Sequence, residues 1–325
     1  MKDRKQVTSF NNVISNESTI NIGVPQGSIL GPILFLIYVN DLCNATPIGE
    51  LLLFADDANH YISGADFNEI LNVINNNLVI IAQWFLANKL AINLVKTEAM
   101  VLCRKILHFP LLPVILNNTP ISYSYIFKFL GLYLDFKLNW KRHIYHVTSK
   151  LSNINGILYR VRNKLPTTVA RLIYTSLAQP HLMYCSTIWS STYVTNINPL
   201  RVVQKKIIRL ISKKSRREHT GPLFKNLKIL KVDDLFKLNT LLYVYKSFNQ
   251  LIYSAIDFNL RPEVHYNIRN PRQMNVPNHN SVQSSLFLHV RGATLWNELP
   301  QDIRNSRTVI SFKNKLKTYY LNSYT

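Results

Sequence analysis

Cysteine is scarce in this chain of 325 residues, which contains only three. Cys43, Cys103 and Cys185 are isolated, and none takes part in the CxxC spacing of a zinc knuckle or a redox pair. His143 and His146 lie one helical turn apart, but no neighbouring cysteine or carboxylate completes a zinc ligand set. The sequence therefore predicts neither a disulfide framework nor a zinc site.

Long apolar runs are also missing. The longest, residues 33–39, is too short to cross a bilayer. The opening residues MKDRKQ lead into no apolar core of the kind that a signal peptide requires. These features predict a protein that is not secreted, that works inside the cell in the nucleus or the cytoplasm, and that has no membrane partner.

Acidic residues are few: the chain has 17 Asp and Glu and 38 Lys and Arg. Its formal net charge is therefore +21. The excess is confined to one part of the chain. Residues 1–110 hold 7 basic and 9 acidic residues, a net of −2, whereas residues 111–325 hold 31 and 8, a net of +23. A positive charge spread over many segments predicts a polyanionic partner, and nucleic acid is the natural candidate.

Two segments carry the clearest chemistry. The first, NIGVPQGSILGP at 21–32, combines three glycines with two prolines, which predicts a bent and restrained loop with a bare peptide surface. The second, LLLFADD at 51–57, predicts a buried strand that ends at Asp56 and Asp57. Carboxylates at a strand tip suit Mg²⁺, with Mn²⁺ as an alternative, where the ion also binds phosphates. A tight turn is predicted over residues 56–59, and read alone the two acids would fit an ordinary hairpin turn better than a metal site.

Four blocks in order resemble the signature motifs of reverse transcriptases from non-LTR retrotransposons, of the LINE type and jockey-like. GVPQGSILGPILFLIYVNDL resembles motif B, and LLLFADDANHYISG resembles motif C, with FADD in place of the YxDD box. The run from Trp84 to Met100 is similar to motif D. A set of residues further on resembles motif E, the primer grip: Phe129, Leu130, Gly131, Asp135, Trp140 and His143.

The resemblance implies an RNA-directed DNA polymerase, which transfers a nucleotide from a dNTP to a primer 3′-hydroxyl on an RNA template. It implies that Asp56 is a metal ligand, that Asp57 is a second acid, and that Lys96 is a general acid near the leaving pyrophosphate. The template and nucleotide pocket would be lined by Gly23, Pro25, Gln26, Gly27 and Ser28. The primer end would be placed by Phe129, Leu130 and Gly131.

The family's motif A, which carries a further catalytic aspartate, has no counterpart before motif B begins at Gly23. The acids in that stretch, Asp3 and Glu17, do not follow apolar strand-like runs. We therefore expect the fingers and motif A to be missing and the chain alone to be inactive. Two functions stay open: a reverse transcriptase that is active as it stands or once joined to its missing half, or an inactive remnant that binds RNA or DNA through its basic thumb.

The predicted fold class is α+β. Residues 1–138 are expected to form an incomplete right-hand polymerase palm, with a ferredoxin-like sheet and helices. A helical thumb over 139–215 and a basic C-terminal region over 216–325 would follow. The local signals are a buried helix over 28–42, a capping box at Asp66 and Glu69, an Asn117-Asn118 turn, and helical spacing over 144–161.

A further helix is predicted over 199–212, and cations recur along it at steps of four: Arg201, Lys205, Arg209 and Lys213. Like charges at this spacing repel, at a cost of about 0.2–0.5 kcal/mol per pair. The stripe is either an ordinary solvated face or a contact with a nucleic-acid backbone. The family context favours the backbone contact.

Overall fold

A computed structural model describes residues 4–20, 23–25, 27–103, 112–260 and 273–325. The chain divides into two compact units. We call Met1–Ala99 with Ile106–Ser124 the N-terminal unit, and Met100–Lys105 with Tyr125–Thr325 the helical unit. The predicted boundaries at 138 and 215 stay predictions, although the hairpin that carries the motif E residues belongs to the helical unit.

The N-terminal unit is mixed α and β, as expected. Its strands are β1 (Arg4–Gln6), β2 (Ser9–Phe10), β3 (Val13–Ile14), β4 (Ser18–Ile20), β5 (Glu50–Phe54), β6 (Asp57–Tyr61), β7 (Glu98–Ala99), β8 (Val114–Leu116) and β9 (Thr119–Tyr123). The pairs β1–β4, β2–β3, β5–β6 and β8–β9 are antiparallel, and β7 is parallel to β9. The described strands form separate small sheets, so the single palm sheet stays a prediction.

The turn between β8 and β9 has the predicted residues. Asn117 and Asn118 have φ angles of 49° and 60°, in the left-handed region that asparagine tolerates better than most residues. Two consecutive residues with positive φ match the right-handed twist of the paired strands. The local prediction is confirmed because this turn depends on little beyond its own two residues.

The helices of the N-terminal unit are α1 (Leu30–Val39), continued by a 3₁₀ turn (Asn40–Asn44), and α2 (Phe67–Ala87). Asp66 caps α2 as predicted, because its Oδ1 accepts the amide hydrogens of Asn68 and Glu69 at 2.8 and 3.0 Å. Leu71 packs with residues of β8 and β9, and Ile81 packs with residues of β5 and the 3₁₀ turn. By length and composition alone α2 could span a membrane, since its most apolar 18-residue window has a mean hydropathy of 1.4; 17% of that window is buried.

The prediction that α1 is buried was wrong. Ile33, Leu36 and Ile37 are 52%, 56% and 68% exposed, and Val39 is the only residue of the helix that is buried. The helix forms because its residues are apolar and few of them break helices, but no described element of the N-terminal unit covers this face. The apolar sequence predicted the helix correctly and its environment incorrectly.

The helical unit begins with a hairpin of β10 (Ile126–Phe129) and β11 (Leu132–Asp135). Its helices are α3 (Lys141–Val161), α4 (Thr167–Ile173), α5 (Gln179–Met183), α6 (Ser186–Trp189), α7 (Val194–Ile211), α8 (Gly221–Leu227), α9 (Val232–Phe248), α10 (Val282–Ser285), α11 (Leu288–Asn297), α12 (Gln301–Arg304) and α13 (Val309–Asn322). A π turn, Tyr174–Ala178, joins α4 to α5. The expected change from mixed structure to helices is confirmed for the described residues.

Helix α7 begins earlier than predicted. The sequence predicts a start at Pro199, but the helix begins at Val194 and Pro199 lies inside it. Proline in the second turn removes one backbone donor, so the carbonyl of Thr195 lacks its usual helical partner while the rest of the helix continues.

One continuous core fills the helical unit, from Leu132 in the hairpin to Tyr324 after α13. Within it α3 packs against α7, and α9 packs against both α11 and α13. The Tyr324 hydroxyl joins the C-terminal end of this core to the start of α9. It accepts the amide hydrogen of Lys231 at 2.9 Å and donates to Asp234 Oδ2 at 2.6 Å. The predicted thumb and the basic C-terminal region thus share their apolar interior.

Candidate active site and nucleic-acid interface

Asp56 and Asp57 lie at the tip of the β5–β6 hairpin. The strands pair from Glu50 with Tyr61 to Phe54 with Asp57, which leaves Ala55 and Asp56 as a two-residue turn. The predicted turn over 56–59 was therefore wrong, because residues 57–59 extend the pairing of β6. Ala55 has a φ of 52°, which is unusual for alanine and marks a sharp reversal of the backbone.

The acids are exposed, and the strand before them is buried on one face only. Leu51 is buried, whereas Phe54 is 61% exposed, so the prediction of a fully buried strand was wrong. Both carboxylates face solvent and are adjacent in sequence at a fixed tip. In the part of the chain that the structure describes, no group of three or more His, Cys, Asp or Glu could hold a metal ion. The pair thus supplies some, but not all, of the oxygen ligands of a divalent cation.

The glycine loop is bent as expected. Gly23 and Gly27 have φ angles of 80° and 86°, and a Cβ added at either would meet no atom within 4 Å. Ser28 Oγ accepts the amide hydrogen of Gly31 at 3.0 Å, and the Ser28 amide donates to the Pro25 carbonyl at 3.2 Å. These bonds fix the backbone conformation at the start of α1. Gln26 lies outside the described residues.

Lys96 lies in a polar turn. Its amide donates to Asn93 Oδ1 at 3.2 Å, and the Thr97 hydroxyl donates to the Asn93 carbonyl at 2.9 Å. Its side chain is exposed, and no hydrogen bond or ion pair of the described residues joins it to Asp56 or Asp57. The general-acid role therefore stays a prediction.

The residues predicted to form the primer grip lie at the tip of the β10–β11 hairpin. Phe129 pairs with Leu132, and the turn between them has φ angles of 45° at Leu130 and 85° at Gly131. A leucine in the left-handed region is strained. The Tyr184 hydroxyl donates to the Leu130 carbonyl at 2.6 Å and so holds this tip. The sequence offered no signal for this contact, because Tyr184 is 54 residues away.

The base of the same hairpin is fixed to α3 through Asp135 and His143. The Asp135 carboxylate accepts amide hydrogens from Lys137, Asn139 and Trp140 at 3.2, 3.0 and 2.8 Å. His143 Nδ1 lies 3.4 Å from the amide nitrogen of Tyr133, which donates to it. Burial, together with His146, lowers the pKa of His143 to about 4, so the ring is neutral at pH 7.

The four cations predicted on α7 differ in position and in how far their charges are neutralised. The prediction that Lys213 continues the helical row was wrong, because α7 ends at Ile211 and Lys213 has a φ of 53°. Arg201 forms a bidentate ion pair with Asp233, with Nε–Oδ2 at 2.8 Å and Nη2–Oδ1 at 2.6 Å. Arg209 donates from Nε to the Glu218 carbonyl at 2.8 Å. Lys205 and Lys213 are exposed, and no ion pair of the described residues includes them. The stripe is therefore not a uniform row of available charges.

Comparison with known proteins shows what one segment of the chain is similar to. Residues 3–134 match the family model of the reverse transcriptase (RNA-dependent DNA polymerase). This segment is less than half of the 325-residue chain. The matched segment contains the glycine loop, the Asp56-Asp57 tip, Lys96 and the tip of the β10–β11 hairpin.

Curated relatives that align over most of the chain are RNA-directed DNA polymerases of mobile elements. The RNA-directed DNA polymerase from mobile element jockey of Drosophila funebris is 29% identical over 231 residues, covering 68% of this chain and 25% of that protein. The probable RNA-directed DNA polymerase from transposon X-element of Drosophila melanogaster is 26% identical over 284 residues, 84% of this chain and 31% of that protein. The chain thus spans about a quarter to a third of these relatives. No solved structure matches it.

Proposed function

We propose that the chain contributes the acidic tip, the template loop and the primer-end hairpin of an RNA-directed DNA polymerase. The observation that carries this proposal is a pair of exposed neighbouring carboxylates at a hairpin tip, within the residues that match the reverse transcriptase family. The names of the jockey and X-element relatives support the same activity. The substrates would be an RNA template, a DNA primer and dNTPs. The N-terminal unit would be part of a right-hand palm, and α3 with the helices after it would form the thumb.

The donor set fits Mg²⁺, or Mn²⁺, in part. Asp56 would be a metal ligand and Asp57 a second acid. When bound, two such ions activate the primer 3′-hydroxyl and neutralise the charge on the leaving pyrophosphate. A clamp for two ions about 3.5–4 Å apart needs carboxylates from a second strand as well. Because the described residues offer no third ligand beside the pair, that strand would have to come from another segment.

The remaining residues would position the substrates. Gly23 and Gly27 have no side chains, so a base or ribose can approach the backbone of their loop closely. Gln26, Pro25 and Ser28 would line the same pocket, and Lys96 would donate a proton to the pyrophosphate. At the other hairpin, the Tyr184 hydroxyl holds the Leu130 carbonyl, which keeps the turn of Phe129, Leu130 and Gly131 rigid enough to place a primer end.

A primer-extension assay tests this function. We expect no extension by the 325-residue chain with Mg²⁺ and dNTPs, and extension by a chimera in which the fingers and motif A of a jockey-like polymerase precede it. In the chimera, Asp56→Asn should lower extension by a factor on the order of 10³ or more, because a metal ligand acts on the transition state. Binding of primer-template should change little. Asp302→Asn, an exposed acid in the helical unit, is the matched control.

A catalytically inactive, nucleic-acid-binding remnant is the second candidate. The lack of a third acid beside Asp56 and Asp57 in the described residues favours it for the chain in isolation. A chimera that binds primer-template but does not extend it would support this candidate. Extension by the 325-residue chain itself, lost on Asp56→Asn, would refute it and the missing-ligand argument together.

A further inference from the structure

A cluster of cations and tyrosines lies beside the motif E hairpin, outside the α7 stripe. Lys128 on β10 and Arg142 on α3 both lie over the Tyr133 ring, with Nζ 5.9 Å and Cζ 5.8 Å from its centroid. The His146 ring lies 5.0 Å from the same tyrosine, centroid to centroid. Arg142 also lies 5.6 Å from the centroid of Tyr145. Three cationic or titratable groups from two elements thus meet around one aromatic ring.

The cluster continues along α3 and onto α5. Arg142, His146 and Lys150 recur at steps of four, the spacing that drew attention to α7, and His181 on α5 faces the same group. Lys128, Arg142, Lys150 and His181 are exposed, and Tyr145 is 66% exposed. We call this set the Tyr133 patch: Lys128, Tyr133, Arg142, Tyr145, His146, Lys150 and His181.

Nothing acidic balances the patch among the described residues. The charged groups that act on His146 are Lys128 from the hairpin, Arg142 and Lys150 from its own helix, and His181 from α5, and the buried His143 lies one turn before it. No ion pair of the described residues includes any of these cations. Cation–π contacts, worth about 0.5–1 kcal/mol each at exposed sites, hold the cations together against their repulsion. An anion would remove that repulsion.

We propose that the Tyr133 patch binds the phosphate backbone of a nucleic acid, and that this binding is coupled to protonation of His146. The inference rests on the proposed function, because a polymerase must hold the strands that it copies. It adds a site that the sequence analysis did not identify. Fixed cations would contact successive phosphates, while the exposed Tyr145 ring offers a surface on which a base can stack.

The pH dependence follows from the surroundings of His146. Burial and then the neighbouring cations lower its pKa, so the imidazole is largely neutral at pH 7 in the free protein. A phosphate placed among these cations would favour the charged ring and raise the pKa of His146. Binding would therefore take up a proton, and affinity would increase as the pH falls.

Fluorescence anisotropy of the 325-residue chain with a short labelled RNA–DNA hybrid tests the binding site. The triple variant Lys128→Gln, Arg142→Gln, Lys150→Gln should weaken binding about tenfold or more and lower the slope of log K against log salt by about two to three. The matched control removes the same charge elsewhere: Lys225→Gln, Lys237→Gln and Lys315→Gln. Equal losses in the two triple variants, or no binding at all by the unaltered chain, would overturn the proposal.

Two further measurements test the coupling to His146. His181→Gln is introduced into every protein to remove the second histidine of the patch. Between about pH 8 and about pH 6, binding by this chain, with or without His279→Gln, should tighten several-fold, whereas the further change His146→Gln should leave at most a small response. In an NMR titration, the pKa of His146 should be higher in the complex than in the free chain. The same pH response in His146→Gln, or the same pKa in both states, would overturn the coupling.

Failure of the patch and failure of the proposed function are distinguishable. The primer-extension assay on the chimera reports the chemistry at Asp56 and does not depend on the pH response of binding. If the chimera extends primers and the patch variant binds as well as its control, this inference is contradicted and the proposed function is not. If the patch variants lose binding while the chimera stays inactive, the binding site is supported and the polymerase function is contradicted.

Discussion

At the scale of the residue, His143 shows how burial sets charge. It lies under the β10–β11 hairpin, accepts the amide hydrogen of Tyr133, and packs 5.1 Å from the ring of Trp189, centroid to centroid. Burial lowers its pKa from 6.5 to about 4. The folded protein therefore holds this ring neutral at a pH where an unfolded chain would protonate it.

The sign of the resulting pH dependence follows directly. Well above pH 6.5 neither state is protonated at His143, and the ring has no effect on stability through its charge. As the pH falls through 6.5 towards 4, the unfolded state binds the extra proton, so about 3 kcal/mol of stability is lost. Urea unfolding of His143→Gln should lose less stability over this interval, since glutamine keeps an acceptor for Tyr133. The exposed His279→Gln should behave like the unaltered chain, and a pH response shared by all three proteins would contradict the assignment to His143.

At the scale of the element, α7 shows that a row of cations in sequence need not be a row of available charges. The Arg201–Asp233 pair joins α7 to α9 through two parallel hydrogen bonds. Lys205 and Lys213 have no comparable partner among the described residues. Arg201 is therefore expected to contribute least to the salt dependence of nucleic-acid binding, whereas Lys205, Lys213 and Arg209 keep their charges, since the bond from Arg209 goes to a neutral carbonyl.

The double variant Arg201→Gln, Asp233→Asn should leave the slope of log K against log salt nearly unchanged, because it removes equal and opposite charges. Lys205→Gln with Lys213→Gln should lower that slope by about two if both lysines contact phosphates. Anisotropy over a salt series measures both. The contact would be refuted if the arginine–aspartate variant lowered the slope as far as the lysine variant.

Elements with local causes could be predicted from sequence. The Asp66 cap, the Asn117-Asn118 turn and the helical spacing of α3 each depend on residues within a turn of one another. The pairing of Arg201 with Asp233, 32 residues away, and the exposure of α1 depend on which distant segments come together. The sequence predicted a strand that ends at Asp56 and Asp57. It did not predict the two-residue turn or the exposed face of β5, because both depend on how β6 pairs with β5.

At the scale of the whole molecule, the two units differ in how they are stabilised. The N-terminal unit relies on short sheets and two small apolar clusters, each packed on α2. The helical unit has one large core, and it also carries all of the excess positive charge, because the N-terminal unit holds more acidic than basic residues. A strongly basic unit would bring the chain to a polyanion rapidly at low salt. The local geometry of the acidic tip would matter only afterwards.

The bonds of Tyr324 lead to a prediction about folding kinetics. Its hydroxyl binds the Lys231 amide, 93 residues earlier in the chain, and the Asp234 carboxylate. Contacts across so long a loop form late, since the loop entropy must be lost first. In stopped-flow experiments, Tyr324→Phe should cost about 1–3 kcal/mol, chiefly as faster unfolding with a nearly unchanged folding rate. Tyr319→Phe, a more exposed neighbour, should change neither rate, and a slower folding rate in Tyr324→Phe would contradict late closure.

Late closure also has a consequence during synthesis on the ribosome. Helix α9 buries its apolar residues against α11 and α13, which are translated after it. Helices α5, α6 and α7 precede α9 and cover part of it, but until α13 emerges and Tyr324 reaches Lys231, the apolar surface that α11 and α13 cover faces solvent in the nascent chain. This interval is when chaperones would bind the helical unit, and when slow translation of the segment between α9 and α13 would most increase aggregation.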